Sequence, residues 1–184
     1  MNKQQPCLKQ LMIVALLTTG LAATGSSHAA QNVTVNFTAV LLPGTCNVSV
    51  DSLGPDATVI LRKVTTDELN YTGTAGTTAF KIDITDCYAT LSTARAFFES
   101  GTTTNSRGYV SNTGGTARNV DFILSADSSV ATQIVPGDSN QQGDFVDITS
   151  GSASQDYYIS YRTDGLNATA GTVNGSITYR LDYK

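Results

Sequence analysis

Apolar and polar residues alternate along much of this chain. In residues 33–42 (VTVNFTAVLL), Val33, Val35, Phe37, Ala39 and Leu41 fall on one face, and Thr34, Asn36, Thr38, Val40 and Leu42 fall between them. The same period returns at 172–183. There Val173, Gly175, Ile177, Tyr179, Leu181 and Tyr183 alternate with Asn174, Ser176, Thr178, Arg180 and Asp182. A period of two marks a half-buried β-strand. It predicts further strands at 57–63, 79–86, 94–99, 118–126, 143–149 and 155–163. Gly/Asn/Ser/Thr clusters at 101–106, 111–116, 136–143 and 164–171 read as loops. Helix signals are sparse. Short strands at this spacing predict an all-β sandwich of immunoglobulin-like appearance. It has no tryptophan, and its cysteines come early rather than one per sheet.

Both ends of this pattern are amphipathic strands, and terminal strands fray unless a sheet ties them down. Edge strands are normally blunted by charge or proline. The stretch 33–42 carries no charge at all. Left exposed, it would aggregate, so something is expected to cover it.

The first 29 residues read differently. Lys3 and Lys9 precede an apolar run, LMIVALLTTGLAA, and Ser27-His28-Ala29 offers a small-residue cleavage site. This is the pattern of a secretory signal peptide, too short to cross a membrane as a helix. Cleavage after Ala29 leaves 155 residues with 9 basic and 15 acidic side chains, a formal charge of −6. That balance argues against nucleic acid and anionic membrane surfaces as partners. It also removes Cys7 and the sole histidine, His28. Cys46 and Cys87 remain, and in an exported chain they most simply form one disulfide. Two thiols without histidine fall short of the usual four zinc ligands.

Little catalytic chemistry is left. Without histidine, the common serine and cysteine hydrolase designs are excluded. Asp67, Glu68, Asp83, Asp86 and Glu99 show no special spacing. The stretch 138–147 (DSNQQGDFVD) has a faint calcium-loop look, but Thr149 stands where an EF-hand needs glutamate. Tyr157 and Tyr161 share a strand face that reads as sandwich core, with a sugar platform as the rarer alternative. No enzyme activity, metal or cofactor is expected.

Four features together resemble a known family. They are the cysteine pair with FKIDITDC (80–87) leading into Cys87, the C-terminal strand with penultimate Tyr183, Gly171 fourteenth from the C-terminus, and the alternating stretch ahead of Cys46. In this order, behind a signal peptide, they resemble the pilins of chaperone–usher fimbriae, and look like the single-domain shaft pilins of type 1 fimbriae and their minor relatives.

The resemblance implies an immunoglobulin-like sandwich that lacks a strand and is completed by a donated one. Its parts would be a signal peptide (1–29), an N-terminal extension (30–42) and a pilin domain (43–184). The extension would donate Val33, Val35, Phe37, Ala39 and Leu41 to a neighbour. The C-terminal segment, with Gly171, Val173, Ile177, Tyr179, Leu181 and Tyr183, would border the acceptor groove. Implied partners are a periplasmic chaperone gripping the Lys184 carboxylate, an outer-membrane usher, and neighbouring pilins. The implied location is a fimbria on the cell surface, reached through the periplasm, where it supports adhesion. A tip or adaptor pilin binding a host glycan is the alternative. One departure stands out: Ala39 occupies a position that is commonly glycine in the family.

Overall fold

A computed structural model describes residues 46–141 and 143–184. The stretch 33–42 and the signal-like segment lie outside these residues. Eight strands and one helix follow in chain order: β1 (Asn47–Val50), α1 (Thr66–Thr72), β2 (Thr74–Thr85), β3 (Thr93–Phe98), β4 (Asp121–Ser125), β5 (Gln133–Ile134), β6 (Val146–Asp147), β7 (Ala153–Arg162) and β8 (Tyr179–Tyr183). All pairings are antiparallel. One sheet has the order β1-β2-β7-β4-β5, the other β6-β3-β8.

The inward positions of both sheets share one core. β2 supplies Phe80, Ile82 and Ile84, β4 supplies Phe122 and Leu124, and β3 supplies Ala94, Ala96 and Phe98. Every second residue of these strands is buried, as the sequence period requires. At the centre, Phe80 stacks on Tyr157 with centroids 5.8 Å apart, and Phe98 meets Tyr157 edge-on at 5.1 Å. Such offset and edge-to-face pairs add stability beyond the area they bury. Tyr157 is fully buried, and burial pushes its phenol up to about 12, so it acts as a neutral hydrogen-bonding group. It is core, not a sugar platform.

Cys46 and Cys87 form a disulfide. Both belong to neighbouring strands of one sheet: Cys46 directly precedes β1, and Cys87 closely follows β2. The register Asn47↔Thr85 brings them together.

The structure departs from the periodicity at several points. Residues 57–63 carry a strand pattern but join no ladder among the described residues. The predicted strand 172–183 is hydrogen-bonded as a ladder only over Tyr179–Tyr183, and 143–149 only at Val146–Asp147. Helix α1 was not expected. Thr65 caps it by accepting from the Glu68 N–H (3.1 Å), and Gly73 ends it in the left-handed conformation with φ 73°.

Candidate functional site

The two edges of the three-stranded sheet are treated differently. Odd-numbered residues of β3 pair with β8, so even-numbered ones direct their N–H and C=O groups to the opposite edge. That edge is closed. β6 covers Thr93 and Ala94. The Ala96 N–H donates to the Tyr157 hydroxyl (3.2 Å). The Phe98 N–H donates to Gln141 Oε1 (2.8 Å), and the Phe98 carbonyl accepts from Gln141 Nε2 (2.9 Å) and the Gly137 N–H (2.8 Å).

Beyond β8, no further strand pairs among the described residues. From 172 to 184 the even-numbered residues make the backbone contacts. Thr172 C=O accepts from Ala117, Asn174 C=O from Thr113 and Gly114, and Thr178 C=O from Glu99, while Lys184 bonds Ser92 and Thr93. The Asn174 N–H donates to Asn112 Oδ1 (2.9 Å). The odd-numbered groups of 173–181 point the other way. They find no backbone partner among the described residues. Across from them, residues 56–61 are equally without backbone partners.

Between these two edges lies an open cleft of about 810 Å³. Ala57, Val59 and Leu61 wall one side, and Val173, Gly175, Ile177, Tyr179 and Leu181 the other. Its floor is the core itself, with Phe80, Phe98, Val110, Phe122, Leu124 and Ile159. Val59, Leu61, Ile177 and Leu181 lean on that core half-buried, while Ile60 turns outward and is 84% exposed. The Tyr179 hydroxyl donates to the Pro55 carbonyl (2.9 Å) and bridges the two walls at one end. A strand-wide, apolar-floored gap whose backbone groups on both sides find no partner among the described residues can take up one extended segment.

The remaining residues singled out in the sequence support the groove from outside its lining. Tyr183 packs against the core, and its hydroxyl accepts from the Cys46 N–H (3.4 Å), tying the last strand to the disulfide. Gly171 packs against the 116–117 turn. A Cβ there would sit 2.5 Å from Ala117 N and 2.7 Å from Thr116 Oγ1, so only glycine fits. Paired Thr116–Thr172 contacts pin the same junction. The wall at 57–61 and the aromatic floor were not assigned to the site from sequence. Their signal, an uncharged ATVIL run after Pro55-Asp56, reads equally well as an ordinary strand. The donor residues Val33, Val35, Phe37, Ala39 and Leu41 lie outside the described residues.

On the outer face of the same sheet, charge fastens β8 to β3. Arg95 pairs with Asp182 across the ladder (3.5 Å), Arg180 with Glu99 and with Asp182, and the Arg180 guanidinium lies 3.8 Å from the Phe97 ring centroid. The hydrogen bond to Glu99, with Asp182 adding to it, holds Arg180 firmly in its charged form.

These features define a class: an antiparallel immunoglobulin-like sandwich whose smaller sheet, among the described residues, ends on an unpaired edge. Comparison with known proteins then gives the family. A family model described as fimbrial protein matches residues 33–184, so the chain belongs to the fimbrial protein family and is a fimbrial subunit. Among solved structures it is similar to the P pilus rod subunit PapA, with 15% identity, a TM-score of 0.58, and coverage of 76% of this chain and 99% of that one. It is also similar to a subunit of a chaperone–usher pilus studied for rod uncoiling, with 15% identity, a TM-score of 0.60, and coverage of 85% and 98%. At these identities the likeness speaks for the fold. No curated protein matches the chain.

Proposed function

We propose that this chain is a structural pilin that polymerises by donor-strand exchange. The carrying observation is the contrast between the two edges of the small sheet. One is closed by β6, Tyr157 and Gln141; the other faces an apolar cleft, with its backbone unpaired among the described residues. A periplasmic chaperone would first lay a strand beside Val173–Leu181. The 33–41 extension of the next subunit, delivered at an outer-membrane usher, would then replace it. Residues 1–29 would act as the signal peptide, 30–42 as the extension and 43–184 as the pilin domain. The subunit works by non-covalent assembly on the cell surface and catalyses nothing.

The magnitudes fit this scheme. A donated strand buries four or five apolar side chains, each worth roughly 1.5–3 kcal/mol, together about 6–15 kcal/mol. That equals the net stability of a whole domain, about 5–15 kcal/mol. A subunit without a donor should be marginal and adhesive, and one with a donor very stable.

Export of the full chain to a periplasm, with and without its chaperone, tests the reading. A one-to-one complex with the chaperone, and loss of stable protein when residues 173–184 are deleted, are expected. A lone, robust, non-associating monomer would overturn it.

A further inference from the structure

We infer that a polar pocket at one end of the large sheet binds a carboxylate-bearing saccharide. Arg118 and Arg162 would hold its carboxylate, and Asp121 and Asp164 its hydroxyls. Asp121 and Arg162 alternate with the core-facing Phe122 and Tyr161, so they lie on the outer face of that sheet. The pocket shares no lining residue with the cleft beside β8, and the inference does not depend on what fills that cleft.

The chain has six arginines, at 62, 95, 107, 118, 162 and 180. Arg62, Arg95, Arg107 and Arg180 each pair with a carboxylate. Arg118 and Arg162 form no ion pair among the described residues. Both line this one pocket, of about 700 Å³. Arg162 is held in place: its Nη1 donates to Thr74 Oγ1 (2.7 Å), and its guanidinium lies 5.9 Å from the Tyr109 ring centroid. Its Nε is buried without a hydrogen-bond partner among the described residues. A partly buried cation short of partners is stabilised by an anion placed beside it. Asp121 stands directly across the ladder from Arg162 yet makes no ion pair with it. Its oxygens accept instead from the Asn112 N–H (3.2 Å) and from Asn105 Nδ2 (2.9 Å).

The rest of the lining sets the class of ligand. Asp121 and Asp164 both belong to it, and Asp164 is paired with Arg107. An ionised carboxylate has about four lone-pair sites, so both keep capacity to accept from hydroxyls. Leu166, 63% exposed, adds an apolar surface. Guanidinium groups grip a carboxylate with two parallel bonds, carboxylates take hydroxyl donors, and an aliphatic side chain can cover the C–H face of a sugar ring. A phosphate or sulfate alone would bring negative charge against two carboxylates and few donors for them. A neutral sugar would leave both guanidinium groups without a counter-charge. A sugar acid answers both halves of the pocket.

The walls are fixed before any ligand arrives. The Arg118 N–H donates to Thr169 Oγ1 (2.9 Å), and the Thr169 N–H donates to the Arg118 carbonyl (3.1 Å). Asn119 takes a left-handed backbone conformation, φ 59°, which asparagine tolerates better than most residues. Its Nδ2 donates to the Asn167 carbonyl (3.0 Å). The Arg107–Asp164 pair ties a third segment to the same wall. The volume lies within the range of small-molecule sites, about 300–1,000 Å³. A preformed site loses little binding free energy to ordering.

The test is a titration of the full chain, exported to a periplasm and purified in the form that accumulates there, followed by its amide NMR signals. The probes are glucuronate and N-acetylneuraminate, with glucose and acetate as controls. At least one of the two sugar acids is expected to shift the signals of residues 118–121 and 162–166 saturably, with a Kd on the order of 1 mM. Glucose and acetate, each matching half of the pocket, should bind about tenfold more weakly or worse. Arg118 is exposed, so Arg118→Gln should keep the parent's unfolding temperature and weaken sugar-acid binding by about tenfold. Arg162→Lys keeps the charge but loses the planar fork, and should weaken it similarly. No saturable shift with either sugar acid would overturn the proposal. Equal binding of acetate and the sugar acids would reduce the pocket to a general anion site and overturn the saccharide class. Binding that survives both substitutions would overturn the placement. Loss of fibre stability in Arg118→Gln, with no sugar-acid binding in the parent, would assign the pocket to a neighbouring subunit instead.

Discussion

Gln141 is buried, yet its amide replaces a ladder partner for Phe98. It accepts from the Phe98 N–H and donates to the Phe98 carbonyl, while Tyr157 does the same duty for the Ala96 N–H. A buried N–H left without a partner costs about 1–3 kcal/mol. Gln141→Leu should therefore lower stability by about that amount, seen as a lower urea midpoint with an unchanged slope. Gln141→Glu should be no better, because an ionised carboxylate accepts but cannot donate to the Phe98 carbonyl. If Gln141→Leu were as stable as the parent, the side-chain seal on this edge would be incidental. The role of Gln141 was not legible in the sequence. It sits in a polar cluster, 136–143, that reads as loop, and its partner is 43 residues away.

At the level of elements, the period-two signal was reliable wherever the chain supplies its own ladder. Residues 79–86, 94–99, 118–126 and 155–163 all fall on β2, β3, β4 and β7. The same signal at 57–63 and 172–178 met no ladder among the described residues, for a physical reason. Alternation reports which face is buried, and Val59, Leu61, Val173 and Ile177 do lean on the core; it does not report what pairs the edge. Half of the groove, the Val173–Leu181 wall, was thus readable, while its far wall passed as an ordinary strand. Helix α1 was missed for its size, seven residues with only Leu69 buried. Its local signature was present: Thr65 three residues before Glu68, and Gly73 at the end. Thr65→Ala removes that cap and should cost about 0.5–2 kcal/mol in thermal or chemical unfolding. A cost near zero would mean that packing of Leu69 alone holds the helix.

At the scale of the whole molecule, the backbone polarity of residues 172–184 separates the groups that the described residues pair from those they leave unpaired. The even-numbered groups bond to β3 and to the 112–117 loop, whereas the odd-numbered ones face the cleft. Amide hydrogen exchange reads this division directly, since exchange follows the opening of the bond that protects each N–H. In the subunit with an unoccupied groove, the amides of Arg180, Asp182 and Lys184 should exchange slowly, and those of Val173, Ile177, Tyr179 and Leu181 quickly. Filling the groove with a strand should slow the odd-numbered set by orders of magnitude and change the even-numbered set much less. This alternation distinguishes strand addition from a ligand that merely covers the apolar floor. Such a ligand would shield side chains and leave the odd-numbered amides without acceptors. Uniform protection of both sets before any strand is added would mean that the edge is already paired, and assembly would then need a different surface.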